Sequence, residues 1–570
     1  MKRRNLNVVV IAALVGGFAA SCSVKDIEYT VTPNPIEQHG DTCTIRINGK
    51  FIEKGMPKKM LVELTPALFD ADGKELAAFK PEFFKGEKAA GNGIVVPKAG
   101  KSFTYNSEVG CACGEYAASE LKVKVVVKKG TKVKDEIVTD KIADGVVHTP
   151  CLLMNDDKVI FGTDNFVRLT SHTENAVINY AKGRSVVRNP ELKDQDIVDL
   201  TNWVTTSMAN PKIVMKQIGI MSYASPEGGL EKNEGLASDR AASAKAAMVK
   251  IFKKANFPAG QEDAFYNLMP KGEDWAGLKK LIQASDHPDK NIIVSVAEMN
   301  GAPEKREAEI KTLAHTYKFL EKDIFPQLRR SQIALGYDLN GLTDEELLQW
   351  AQAKPDSLTI EEILFTANTL VEDENEKLRL FKVAEKIAPK DWRAANNVGY
   401  IYMLQNKMDD ANTQFEKAAG LGDDPIIKCN LGAIARMKGN IAKAEELFNE
   451  GLSAGPECAY NLGLVYIKKG DYGSAIDKMG DYQTFNMGLA KYLNGDTDGA
   501  VAAIDGSSEA TSGIGHYLKA VVGARTNNKE MMATNLKAAI AADPSLKAKA
   551  AIDREFVKFF EDADFKGMVQ

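Results

Sequence analysis

Residues 222–244 read SYASPEGGLEKNEGLASDRAASA. A tight turn, Pro226-Glu227-Gly228-Gly229, carries one carboxylate beside the hydroxyl of Ser225. Asn233 and Arg240 follow, seven residues apart. A carboxylate, a hydroxyl, a carboxamide and a guanidinium gathered at one loop suit recognition of a charged ligand. An arginine fork grips a carboxylate through paired charge-assisted hydrogen bonds.

A strand must lead into this loop and a helix must leave it. KIVMKQIGIM at 212–221 is apolar enough for a buried strand. Ala237, Ala241, Ala244, Met248 and Ile251 fall at spacings of 4, 3, 4 and 3, one face of an amphipathic helix. Around them, 161–340 mixes the two element types. AVINY at 176–180 and RRSQIALGY near the end read as strands, and so does NIIVSVA at 291–297. Ile197, Leu200 and Val204 mark one helix, and a long helix is expected from about 304 to 325. The layout is α+β with a helical insertion, and the insertion's GEDWAGL at 272–278 is placed either to cover the loop or to extend an interface.

Residues 22–150 are patterned differently. Cys43, Ile45 and Ile47 alternate with Thr44, Arg46 and Asn48. Leu121, Val123, Val125 and Val127 do the same among lysines. Period two with one apolar face marks half-buried antiparallel strands, here in an immunoglobulin-like β-sandwich. Apart from Cys22, four of the seven cysteines, Cys43, Cys111, Cys113 and Cys151, fall in or just after this region. Disulfides or buried thiols explain them better than a metal, since no second cysteine pair or histidine pair completes a ligand set. Their pairing is left open by the sequence.

Enzyme signatures are missing. The six histidines are scattered, and no HExxH, GxSxG, phosphate loop or dinucleotide fingerprint occurs. NGDTDGAVAAID at 494–505 imitates a calcium loop but ends in Asp, and it aligns with an inter-helix turn of the repeats below. A net charge of −5 over 570 residues argues against nucleic acid as partner. We expect no catalytic activity, metal or cofactor.

From residue 343 to the end the chain is helical and repetitive. Gly399, Gly432, Gly463 and Gly488 each precede an alanine by twelve: Ala411, Ala444, Ala475 and Ala500. A fifth alanine is Ala533. With Tyr402, Phe415, Phe448 and Tyr466 between the helices and Pro456 and Pro544 at repeat ends, about 170 residues resemble the tetratricopeptide repeat. That resemblance implies four to five stacked helix pairs, one shortened, with a groove for peptide segments or partner proteins.

The opening residues resemble a bacterial lipoprotein leader. Lys2, Arg3 and Arg4 precede a short apolar run from Val8 to Ala20, and Ala19-Ala20-Ser21 leads to Cys22. The resemblance implies a signal peptide over 1–21 and lipidation of Cys22, hence a membrane anchor rather than a span. Ser-Val-Lys-Asp after the cysteine lacks an acidic cluster, which favours the periplasmic face of the outer membrane.

The 222–244 segment is similar to the OmpA-like domain that holds peptidoglycan, through Asn233, Leu236, Ala237, Arg240 and Ala241. In that family a loop Asp pairs with the ammonium of diaminopimelate and the helical Arg with its carboxylate. Here Ser225 stands at the Asp position. A hydroxyl cannot neutralise an ammonium, a loss on the order of 1.5–3 kcal/mol. Glu227 is the available substitute. Glu227 and Asp239 also offer Arg240 an internal ion pair instead. The sequence therefore reads as a multidomain, lipid-anchored envelope scaffold: sandwich over 22–150, OmpA-like domain over 161–340, and repeat domain over 343–570. Its partners are proteins and, through Ser225, Glu227, Asn233 and Arg240, peptidoglycan. The alternative is an adaptor or assembly factor whose OmpA-like domain has lost that ligand.

Overall fold

The computed structural model describes residues 9–10, 24, 27–299 and 302–570. Cys22, where lipidation is expected, lies outside them. The chain divides into two compact units, one of Met1–Thr163 with Val371–Gln570 and one of Asp164–Leu370. The β-rich region and the repeats thus belong to one body, and helices beginning at Asp344 belong to the central unit. Among the described residues no helix is long and apolar enough to cross a membrane.

In the first unit, Thr42–Phe51 lies between Ile27–Thr32 and Lys101–Gly110, and Glu120–Lys129 lies between Leu61–Phe69 and Lys132–Val138, all antiparallel. The expected alternation holds: Cys43, Ile45 and Ile47 point inward with Leu121, Val123, Val125 and Val127. Side chains of both sheets close one core around Tyr29, Phe51, Leu64 and Phe84. Cys43 pairs with Cys111 and Cys113 with Cys151, so the two cysteines of the Cys-Ala-Cys motif serve different disulfides.

The helical part holds five helix pairs, from Trp392–Leu404 with Met408–Ala419 to Gly513–Arg525 with Lys529–Ala542. Its glycine-to-alanine period has a steric cause. A Cβ on Gly399 would lie 2.7 Å from the Phe415 ring, and one on Gly432 would lie 2.7 Å from Phe448. Ala411, Ala444, Ala475 and Ala500 are fully buried at the same crossings. The register slips in the last pair, where Met532 rather than Ala533 faces the core. Asp496, in the segment that imitates a calcium loop, caps the helix Thr497–Asp505 by accepting from the Gly499 amide.

The second unit is a four-stranded sheet ordered Leu169–Asn179, Arg330–Asn340, Ile213–Ala224, Tyr266–Glu273. Helices Gln195–Ser207 and Leu230–Lys254 pack on it through Ile197, Leu200, Val204, Ala241, Ala244 and Met248. Two expectations are corrected. NIIVSVA is not a strand but most of the helix Lys290–Ala297, whose buried Ile293, Val296 and Ala297 share one helical face. The fourth strand is instead YNLMPKGE, at a sheet edge where Pro270 is tolerated. The long helix expected over 304–325 is broken into Pro303–Thr312, Ala314–Phe319 and a π turn at Leu320–Ile324.

Candidate functional site

The loop between Ile213–Ala224 and Leu230–Lys254 is stitched by Asn233. Its carboxamide nitrogen lies 2.9 Å from the Gly228 carbonyl, 3.3 Å from the Ser225 carbonyl and 2.7 Å from Glu273 Oε1. Asn233 is therefore spent on holding the turn. Ser225 and Glu227 meet a residue that the sequence did not single out. Arg329 Nε donates to Ser225 Oγ at 3.2 Å, and both Glu227 oxygens lie 2.9 Å from Arg329 Nη2. Arg329 stands just before the last strand of the unit, roughly a hundred residues downstream, and only the sheet order brings it to the loop. Lys182 Nζ adds a second cation 3.9 Å from Glu227.

Arg240 is 1% exposed. It pairs with neither Glu227 nor Asp239: Glu227 is taken by Arg329, and Asp239 faces solvent. Its Nε donates to the Arg184 carbonyl at 3.0 Å and its Nη1 to the Tyr223 carbonyl at 2.7 Å, and its guanidinium lies over the Tyr180 ring. Its pKa is lowered to about 10, by burial first, with Tyr180 opposing, Arg329 adding to the fall and Glu227 opposing it. Burial thus disfavours its charged form. Glu227 pairs with Arg329 while Arg240 donates to backbone carbonyls, and the excess positive charge suits a ligand carboxylate.

An acidic pair adjoins the same loop. Glu273, whose Oε2 accepts from Trp275 Nε1 at 2.8 Å, is the acidic neighbour of Glu307. Burial, and then Glu273, raises the Glu307 pKa to about 7. Trp275, in the segment expected to cover the loop, reaches it through Glu273.

The repeats hold a second arrangement. Their groove, lined by the first helix of each pair, is filled by the chain's own residues 154–162. Asn486, Asn461, Asn430 and Asn397 present one carboxamide each. Every one accepts from a backbone N–H and donates to the C=O of the same residue: Met154 at 2.9 and 3.0 Å, Lys158 at 2.8 and 2.7 Å, Ile160 at 2.8 and 2.7 Å, and Gly162 at 2.6 and 2.9 Å. Asn396 adds a second donor to the Ile160 carbonyl at 3.0 Å.

The contacted residues are an even number apart, so the segment is extended, with alternate backbone groups on one side. It runs against the repeat order, advancing two residues per repeat. It advances four across the shortened one, where Tyr460 and Asn486 hold the Asp156 side chain instead. Asp157 pairs with Arg436, their side chains 1% and 4% exposed. Val159 and Ile160 pack on Cys429, Ala433 and Phe448, and the Phe161 ring meets the Tyr400 edge. The partner groove expected of the repeats is therefore occupied in cis.

A model of the tetratricopeptide repeat matches residues 456–477. The BBSome complex member BBS4 of Bos taurus is 29% identical over 112 residues, which is 19% of this chain. This chain spans only 22% of that relative's length. Among solved structures, the Cut9-Hcn1 hetero-tetramer of the APC/C aligns with a TM-score of 0.30 at 14% identity, covering 66% of this chain and 81% of that one. The pilF protein of Pseudomonas aeruginosa aligns with a TM-score of 0.28 at 14% identity, covering 38% and 97%.

Proposed function

We propose that the chain is a lipid-anchored scaffold of the bacterial cell envelope. Cys22 anchors it on the periplasmic face of the outer membrane. The central unit, as an OmpA-like domain, tethers the assembly to peptidoglycan, and the helical repeats recruit protein partners. The observation that carries the tethering reading is Arg240. It is a buried guanidinium without a carboxylate, reached from the same strand, loop and helix that resemblance to the OmpA-like family marks. A diaminopimelate carboxylate arriving there would offset part of the cost of burying that charge.

One observation favours a second reading. Glu227 is already paired with Arg329, and Ser225 accepts from the same guanidinium. The ammonium of diaminopimelate then finds no free carboxylate in the loop, as in an adaptor or assembly factor whose OmpA-like domain has lost its ligand. Co-sedimentation of the full chain with diaminopimelate-type peptidoglycan separates the two. The tether reading expects binding by the wild-type chain that Arg240→Ala abolishes. Absence of wild-type binding, with binding gained in Ser225→Asp, establishes the adaptor reading.

A further inference from the structure

We propose that residues 154–162 are a built-in, exchangeable ligand of the repeat groove. The groove then serves a partner by taking that partner's extended segment in place of the strap. The inference concerns the repeats and stands apart from the peptidoglycan reading of the central unit.

Three features carry it. First, Asn397, Asn430 and Asn461 meet the strap only through backbone N–H and C=O groups, and Asn486 does the same at Met154 while also donating to the Asp156 side chain. A groove that reads backbone accepts any extended segment in register, as an exposed sheet edge does. Second, these four carboxamides are fully buried. Buried carboxamides and a buried guanidinium at Arg436 are costly to leave unpaired, yet paired they add little net stability over apolar packing. The groove therefore requires an occupant but has no strong preference for its own. Third, the strap is tied just upstream by the Cys113–Cys151 disulfide, which keeps it at hand after displacement. Its advantage over a competitor is local concentration, in the millimolar range for a short tether.

Side chains set which partner fits. Asp157 meets Arg436, and Val159 and Ile160 fill the apolar part of the groove. Gly162 lies where a Cβ would come within 2.9 Å of the Arg393 side chain. The partner segment is thus extended, with an acidic residue, a spacer, two β-branched residues and then, two positions on, a glycine.

The test uses the full chain and, as probe, a fluorescein-labelled peptide of the sequence LLMNDDKVIFGT. Two strap variants weaken cis occupancy while leaving the groove intact. Asp157→Asn removes the charge opposite Arg436. Lys158→Pro with Ile160→Pro deletes two N–H donors without disfavouring extended backbone. Both variants should bind the probe at least about 100-fold more tightly than the wild-type chain. Adding Asn430→Ala and Asn461→Ala should abolish that binding. Helical circular dichroism reports that each variant is folded, and the isosteric Asp157→Asn alone suffices if the proline pair is not. Equal affinity of wild type and variants would overturn cis occupancy. Folded variants that do not bind the probe would show the strap to be a permanent strut and overturn exchange.

Discussion

Asn461 accepts a hydrogen bond from the Lys158 amide at 2.8 Å and returns one to the Lys158 carbonyl at 2.7 Å, across 303 residues of sequence. The pair shows how the repeats are used here. A carboxamide matches a peptide unit donor for acceptor, so one side chain satisfies both backbone groups of one residue. Repeated along the solenoid, it turns a loop that would otherwise carry open backbone groups into part of the folded body.

That reciprocity makes Asn461→Asp informative. The carboxylate still accepts from the Lys158 amide but cannot donate to the carbonyl. We expect a loss of about 1–3 kcal/mol in urea denaturation of the first unit. Asn461→Ala should cost a similar amount by leaving both backbone groups unmet.

The Cys113–Cys151 disulfide closes a sequence separation of 38 just before the strap. Chain-entropy arguments give such a cross-link about 2–4 kcal/mol. Cys113→Ser with Cys151→Ser should lower stability by that amount. It should also speed limited proteolysis within residues 152–163, whereas loss of the Cys43–Cys111 bridge should leave that segment's cleavage rate unchanged.

Glu307 gives the central unit a pH dependence of defined sign. Its folded-state pKa is raised to about 7 from an ordinary 4.5, by burial first and by Glu273 second. Between these values the folded protein holds a proton that the unfolded chain has released, so stability falls as pH rises through the window. The central unit should be less stable at pH 8 than at pH 5, and Glu307→Gln should flatten that difference. Denaturation midpoints at the two pH values measure it.

Much of the fold is legible in the sequence where one side chain meets a neighbour a few residues away. Period two marks the β-rich region because alternate residues face one core. The twelve-residue step from glycine to alanine marks the helix crossings because the close approach of Phe415 and Phe448 leaves no room for a Cβ. The central loop is legible in part: Ser225 and Glu227 meet one cation, Asn233 holds the turn, and Arg240 donates to the carbonyls of Arg184 and Tyr223. Arg329 is not, because it reaches the loop only through strand order. NIIVSVA misleads because a short apolar run suits a buried helix face as well as a strand. The strap is hidden for another reason: its partners lie 235 to 332 residues away and read backbone, which carries no sequence signature. A trace exists on the groove side. Asn397, Asn430, Asn461 and Asn486 each stand two residues before the glycine of their repeat.

The most direct test of the filled groove is residue-resolved hydrogen exchange of the full-length chain across 152–163. A filled groove gives slow exchange at Met154, Lys158, Ile160 and Gly162, whose amides face the asparagines, and faster exchange at Asp157, Val159 and Phe161. Uniformly fast exchange along the segment would contradict it and leave the groove open.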